Sequence, residues 1–249
     1  MHSFSIRDKS ILTGLYFSKF DKAGLDLFGF GGFTEAFNII GLALGVRPAS
    51  IKNYRDEFDP LFPNGRMGWH KRSMRDYCKK IHDEFGGMNL GEFTNLLKQV
   101  LYKEHEIELL NEEVDVSVED ETGTFAKRLL TGQAAEQYFL DAYKNIPYFD
   151  GLELKNATKL GCGFDFKLYS PNTSYAVEVK GLNDTHGNIM LTEKEHAVAT
   201  KMGDRYFLFV VKNFKEKPLH ELFKNPLNGN LVFNRFEQQV MVTNWSARI

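Results

Sequence analysis

Residues 175–181 read Tyr-Ala-Val-Glu-Val-Lys-Gly, and no other stretch constrains the fold of this chain so tightly. Alternating β-branched residues favour a strand, whose side chains point to opposite faces in turn. Val177 and Val179 therefore face a core, while Ala176, Glu178 and Lys180 share the other face. A carboxylate and an ammonium stand two residues apart there, with the small Ala176 leaving room beside them. Upstream, Gly161-Cys-Gly-Phe-Asp-Phe-Lys167 places a second carboxylate, Asp165, between aromatic residues and behind two glycines. The intervening Ser170-Pro-Asn-Thr-Ser174 is rich in turn formers and predicts a hairpin that brings Asp165 beside Glu178, with the register left open.

Asp, Glu and Lys around one point suit phosphodiester hydrolysis. Two carboxylates offer hard oxygen ligands to a divalent cation such as Mg²⁺ and leave positions for water and phosphate. The cation acts as a Lewis acid and lowers the pKa of its bound water. A lysine beside it can orient or help deprotonate that water, or stabilise charge in the transition state. Glu-x-Lys on a strand is a weak signal alone, because exposed edge strands alternate charges for solubility. The glycine directly after the strand and the Asp one hairpin away make the combination more specific.

The rest of the chain divides around an acidic seam at 111–123, Asn-Glu-Glu-Val-Asp-Val-Ser-Val-Glu-Asp-Glu-Thr-Gly. Before it, apolar residues recur at helical spacing, as in Phe93, Leu96, Leu97, Val100 and Leu101. After it comes a helical stretch over 125–143, then strand-like runs at 163–169, 175–180 and 206–211. This pattern predicts an α+β protein of two domains, a helical one over 1–115 and an α/β one over 119–249. The 249 residues suffice for both cores. The formal net charge of −2 excludes a globally basic polyanion binder, so any nucleic-acid surface must be local. Cys78 and Cys162 lie in no metal-ligand spacing and form no disulfide framework, and the first twenty residues read as neither signal peptide nor membrane span. A cytoplasmic protein is the expectation.

Within the first half, residues 34–58 fit a helix-turn-helix. A first helix runs to Ala43 or Leu44, with Gly41 where two helices must approach, Gly45 in the turn, and Pro48 in the first turn of a second helix. With Ile51 and Tyr54 facing the core, Arg47, Ser50, Lys52, Asn53 and Arg55 are left on the outer face, where Arg and Asn are shaped to read base edges. From 47 to 80 there are nine Lys/Arg against four acids, and Arg66, Trp69, His70, Lys71 and Arg72 form a loop suited to gripping DNA. Glycines 24, 29, 31 and 32 around Phe28, Phe30 and Phe33 lack a following Gly-Lys-Ser/Thr, so they form no P-loop and read as a packed lead-in to the first helix.

Five ordered pieces resemble one family. They are Gly132-Gln-Ala-Ala-Glu-Gln-Tyr-Phe139, Gly163-Phe-Asp-Phe166, Val177-Glu-Val-Lys-Gly181, Leu191-Thr-Glu-Lys-Glu-His-Ala197 and Tyr206-Phe-Leu-Phe-Val-Val211. Together they look like a PD-(D/E)xK, or restriction-endonuclease-like, nuclease of the branch related to the C-terminal domain of NO VEIN, over roughly 132–213. The resemblance implies a central mixed sheet flanked by helices, Asp165 and Glu178 as Mg²⁺ ligands (with Mn²⁺ as substitute), and Lys180 as catalytic lysine. It also maps a further helix-borne carboxylate onto Glu136. Gly-Phe stands before Asp165 where the family name has Pro. Thr192 and Glu195 read mainly as a capping box opening a helix over 193–202, with a lesser reading that puts Glu195 or His196 at the edge of the site.

The combined expectation is a Mg²⁺-dependent endonuclease for double-stranded DNA, best read as a sequence-specific type II restriction endonuclease. One such site cuts one strand, so double-strand cleavage calls for a homodimer or successive nicks. The alternatives are a modification-dependent, phage-defence or repair nuclease, or a non-catalytic DNA-binding regulator.

Overall fold

The computed structural model describes residues 4–69, 71–102, 119–229 and 231–235, with 119–124 by backbone alone. The acidic seam falls largely outside them, as does His70. The N-terminal half opens with helix α1 (Ile6–Asp26), where Ser5 and Asp8 form a capping box and the helix kinks at Asp21. Helices α2 (Phe33–Ala43) and α3 (Pro48–Phe58) follow, then α4 (Asp76–Phe85) and α5 (Leu90–Leu101). The helical pair expected over 34–58 is present. Gly45 takes the turn at φ 68°, and a Cβ on Gly41 would stand 2.9 Å from the Pro48 Cα.

Helix α1 was not legible from periodicity. Residues 10–18 are buried without interruption, so the helix shows no polar stripe over its central turns. The glycine-rich segment around Phe28 thus joins α1 to α2, and is not the approach to a first helix.

The C-terminal half begins with α6 (Glu119–Ala142) and adds β1 (Glu153–Asn156), β2 (Phe166–Ser170), β3 (Thr173–Gly181), α7 (Glu193–Met202), β4 (Tyr206–Lys212) and β5 (Leu219–Lys224). The strands form one mixed sheet in sequential order. β1, β2 and β3 pair antiparallel, β3 and β4 pair parallel through the α7 crossover, and β5 returns antiparallel to β4. The parallel pair needs that crossover, because a tight turn can join only antiparallel strands.

Helices cover both faces of the sheet. On one, Phe139 of α6 packs its ring 4.9 Å from Phe166 and 5.0 Å from Phe209, over the same core that holds Val177 and Val179. On the other, Ala199 of α7 packs against Ala176 and Tyr206. The smallness of Ala176 therefore admits a helix, and does not leave the open space beside Glu178 that the sequence suggested.

The two halves share one apolar core, running from Ile11 of α1 through α2 and α6 to Phe214. Polar contacts cross the same junction. The Asn38 amide donates to the carbonyls of Phe214 and Glu216 at 2.7 and 2.9 Å, and the Lys127 ammonium lies 2.7 Å from the buried Glu35 carboxylate. Among the described residues, no helix is long and apolar enough to cross a membrane.

Candidate active site

The hairpin fixes the register that the sequence left open. Ser170 pairs with Thr173 around Pro171 and Asn172, and Phe166 pairs with Val177. Asp165, one residue before Phe166, thus comes alongside Glu178, one residue after Val177. Its backbone is held on both sides: the Asp165 N–H donates to the Val177 carbonyl at 3.0 Å, and its carbonyl accepts from the Ala157 N–H at 2.7 Å. Its carboxylate accepts the Val179 N–H at 2.9 Å. Upstream, Gly163 has φ 88°, and a Cβ there would stand 2.8 Å from the Val198 methyl, so the glycine admits α7 against this turn.

Glu178 is only 3% exposed, and its carboxylate pairs with the Lys180 ammonium at 2.7 Å. That ammonium also donates to Glu195 at 2.9 Å. Glu195 does two things at once, because its carboxylate also accepts the Thr192 N–H while the Thr192 hydroxyl accepts the Glu195 N–H. The capping box is present as expected, and the same carboxylate meets Lys180. His196 is exposed on the same helix.

The electrostatics follow from burial and crowding. Burial raises the Asp165 carboxyl well above its ordinary value, Glu136 and Glu195 push it further, and the Val179 N–H and Lys180 only partly offset this. Glu178 is raised by burial first and then by Asp165 and Glu195, again against Lys180. Burial alone would lower Lys180, but Glu178 and Glu195 outweigh it and hold the lysine in its ammonium form. Tyr206, whose hydroxyl donates to the Gly163 carbonyl at 3.1 Å, is kept protonated by burial and by the same carboxylates.

These groups open on one cavity of about 550 Å³ lined by Glu136, Asp165, Glu178, Lys180 and Glu195. The structure thus brings together the four residues expected at the site and adds Glu195. It also adds wall residues that the sequence reading passed over. Lys127, Arg128 and Thr131 come from α6, Asn183 and Asn188 from the segment after β3, and Gly29 from the N-terminal half. The position of Glu136 was the available signal, since residues 128 and 132 precede it at four-residue steps along one helix face.

Among the described residues, no group of three or more His, Cys, Asp or Glu is arranged to hold a metal ion. The carboxylates that could hold a cation in this cavity are Asp165 and Glu178. Burial and the surrounding carboxylates raise both groups, and Lys180 offsets this only in part, so the site favours added positive charge. Mg²⁺, which keeps several waters and needs only one or two carboxylates, fits it.

The basic residues of the N-terminal half are arranged otherwise than expected. Arg55 is not on the outer face of α3 but only 8% exposed, bonded to Asp56 at 2.6 Å and set over the rings of Phe33 and Phe37. Arg66 donates to the buried Asp59 at 2.9 and 3.0 Å and pairs with Asp21. Arg72 bonds Glu57 at 3.2 Å and lies over Trp69, and Arg75 bonds Glu57 at 2.6 Å. The local charge surplus is therefore largely consumed by buried acids, which need such partners. Arg47, Lys52, Asn53 and Lys71 are exposed as expected, Ser50 partly so, and Lys52 also bonds Asp56 at 2.5 Å.

The mixed sheet between helices makes this an α+β protein, with two carboxylates and a lysine gathered in one cavity beside a hairpin. Residues 135–224 match the family model described as Protein NO VEIN, C-terminal. That span holds all five strands together with Glu136, Asp165, Glu178, Lys180 and Glu195. No curated protein and no solved structure matches the chain.

Proposed function

We propose that this protein is a Mg²⁺-dependent endonuclease of the PD-(D/E)xK type that hydrolyses phosphodiester bonds of DNA. The observation that carries the reading is the convergence of Asp165, Glu178 and Lys180 on one cavity, with both carboxylates raised by burial and by neighbouring carboxylates. Asp165 and Glu178 would hold the cation, which supplies Lewis acidity to the phosphate and to the attacking water.

This chain's own residues do the rest. The Val179 N–H fixes the Asp165 carboxylate, and Glu195 gives the Lys180 ammonium a second anchor beside Glu178. A lysine that stays charged orients water and offsets the negative charge that builds on the phosphate, rather than taking the proton itself. The low-dielectric pocket strengthens that attraction.

Double-stranded DNA as substrate and a restriction role rest on the helix pair α2–α3. Its candidate reading face narrows to Arg47, Ser50, Lys52 and Asn53, with Lys71 nearby in sequence. A homodimer would supply the second cut. Incubating plasmid DNA with the protein in Mg²⁺, Mn²⁺ or EDTA tests the reading. Cleavage in the metals alone, abolished in D165N, E178Q and K180A, is the expected result. Cleavage that survives those substitutions refutes the site, and discrete fragments rather than a smear would mark sequence specificity.

A further inference from the structure

Gly132 lies within α6, and neither backbone nor packing calls for a glycine there. Its φ is not positive, and a Cβ built on it meets nothing within 4 Å. Among residues other than proline, glycine is the poorest helix former, so alanine would serve the helix better at this position. What lies in front of it is the cavity, which Gly132 lines together with Asp165, Glu178 and Lys180. Arg128 and Glu136, one helical step to either side, line the same cavity. Arg128 is exposed, with its guanidinium 5.4 Å from the Phe125 ring centre. Neighbouring Lys127 reaches the same rim, but its ammonium is engaged by buried Glu35 at 2.7 Å.

We infer that this face of α6 is the track of the substrate strand. Gly132 is the gap through which the sugar-phosphate backbone passes, and Arg128 grips the phosphate next to the one over Asp165 and Glu178. The inference rests on the nuclease reading and adds to it the path of the strand and the residues that set it. A planar guanidinium matches two phosphate oxygens at once, which an ammonium does not. Glu136, on the other side of the gap, repels a polyanion, so the flanking phosphate lies on the Arg128 side.

The test is steady-state cleavage of a labelled DNA duplex in Mg²⁺ across a salt series, with thermal melting alongside, for wild type, R128A, R128K, G132A and G132L. R128A should raise KM about tenfold and flatten the log KM against log salt slope by about one, the signature of a lost phosphate contact. R128K should recover only part of the affinity. G132A should melt at the same temperature or higher, because alanine is the better helix former, yet show a raised KM. G132L should raise KM further. Unchanged KM and salt slope in R128A and G132L, with wild type active, would overturn the track and leave the nuclease reading standing. A lower melting temperature in G132A would instead make the glycine a packing residue. A wild type that cleaves DNA with neither Mg²⁺ nor Mn²⁺ removes the nuclease reading and this inference with it.

Discussion

The carboxylate of Asp165 accepts the backbone N–H of Val179 at 2.9 Å, which fastens the acid to the residue lying between Glu178 and Lys180. An asparagine can accept the same N–H through its amide oxygen but carries no charge. D165N should therefore abolish cleavage while raising the melting temperature of the metal-free protein, because it removes a buried charge that repels Glu178. A gain of about 1 kcal/mol corresponds to about 2–4 °C for a chain of this size. Thermal denaturation in EDTA at pH 8 checks this, and a clear drop in melting temperature would contradict it.

The same crowding makes stability depend on pH. Asp165 and Glu178 are raised above their unfolded values, so their contribution is present in full at acidic pH and is lost as pH climbs from about 4 through the elevated folded values. A divalent cation that binds the ionised pair should reverse that loss. The stabilisation produced by Mg²⁺, read as a rise in melting temperature, should be near zero at pH 5 and largest above pH 8, reaching about 2.7 kcal/mol at a hundredfold excess over Kd. Differential scanning fluorimetry across pH reads it directly. An Mg²⁺ effect that is flat with pH, or that persists in a D165N/E178Q double variant, would place the cation elsewhere.

Glu195 serves the helix and the lysine together, whereas Thr192 serves the helix alone. T192A should cost about 1 kcal/mol of stability through the lost cap, with kcat changed less than about threefold. E195A should cost a similar amount of stability and in addition lower kcat by about tenfold or more, because Lys180 loses one of its two anchors. Comparing kcat and melting temperature for the two variants separates the roles. Equal kcat in both would confine Glu195 to capping.

In the N-terminal half, burial alone would raise the Glu57 carboxyl, but hydrogen bonds from Arg75 outweigh it and hold the group below its ordinary value. A depressed carboxylate contributes stability above its unfolded pKa and loses it as pH falls through the folded value, so this part should weaken below about pH 4. E57Q should destabilise by about 3 kcal/mol, since it leaves Arg75 half-buried without its carboxylate. Urea unfolding at pH 7 and pH 3.5 measures both effects. The deficit of the variant relative to wild type should shrink at the lower pH.

Much of the candidate site could be read from the chain because its signals are local. Strand alternation in Tyr175–Gly181, turn formers at Pro171 and Asn172, and the Thr192–Glu195 spacing each specify short-range structure, and each is observed. The short outer strands β1 and β5 escaped notice because they are mostly exposed and carry little hydrophobic pattern. Helix α1 escaped for the opposite reason, since burial on all sides erases the 3.6-residue stripe. Arg55 and Arg66 illustrate a third kind of miss. Counting charges along 47–80 cannot reveal that Asp59, buried at 1% exposure, takes up Arg66 and Asn64 from its own segment and Ser18 from helix α1. Net charge by segment is a sum, and what matters is which acid each base meets.

The shared core between α2 and α6 means that the helical half is not an interchangeable part. Gly29 from that half lines the cavity that holds Asp165, Glu178 and Lys180, and Glu35 reaches across to Lys127 on its rim. Separating residues 119–249 from the helical half would uncover α6 where α2 packs on it and remove one side of the cleft. The chain is better regarded as one machine with a common chassis than as a blade bolted to a handle.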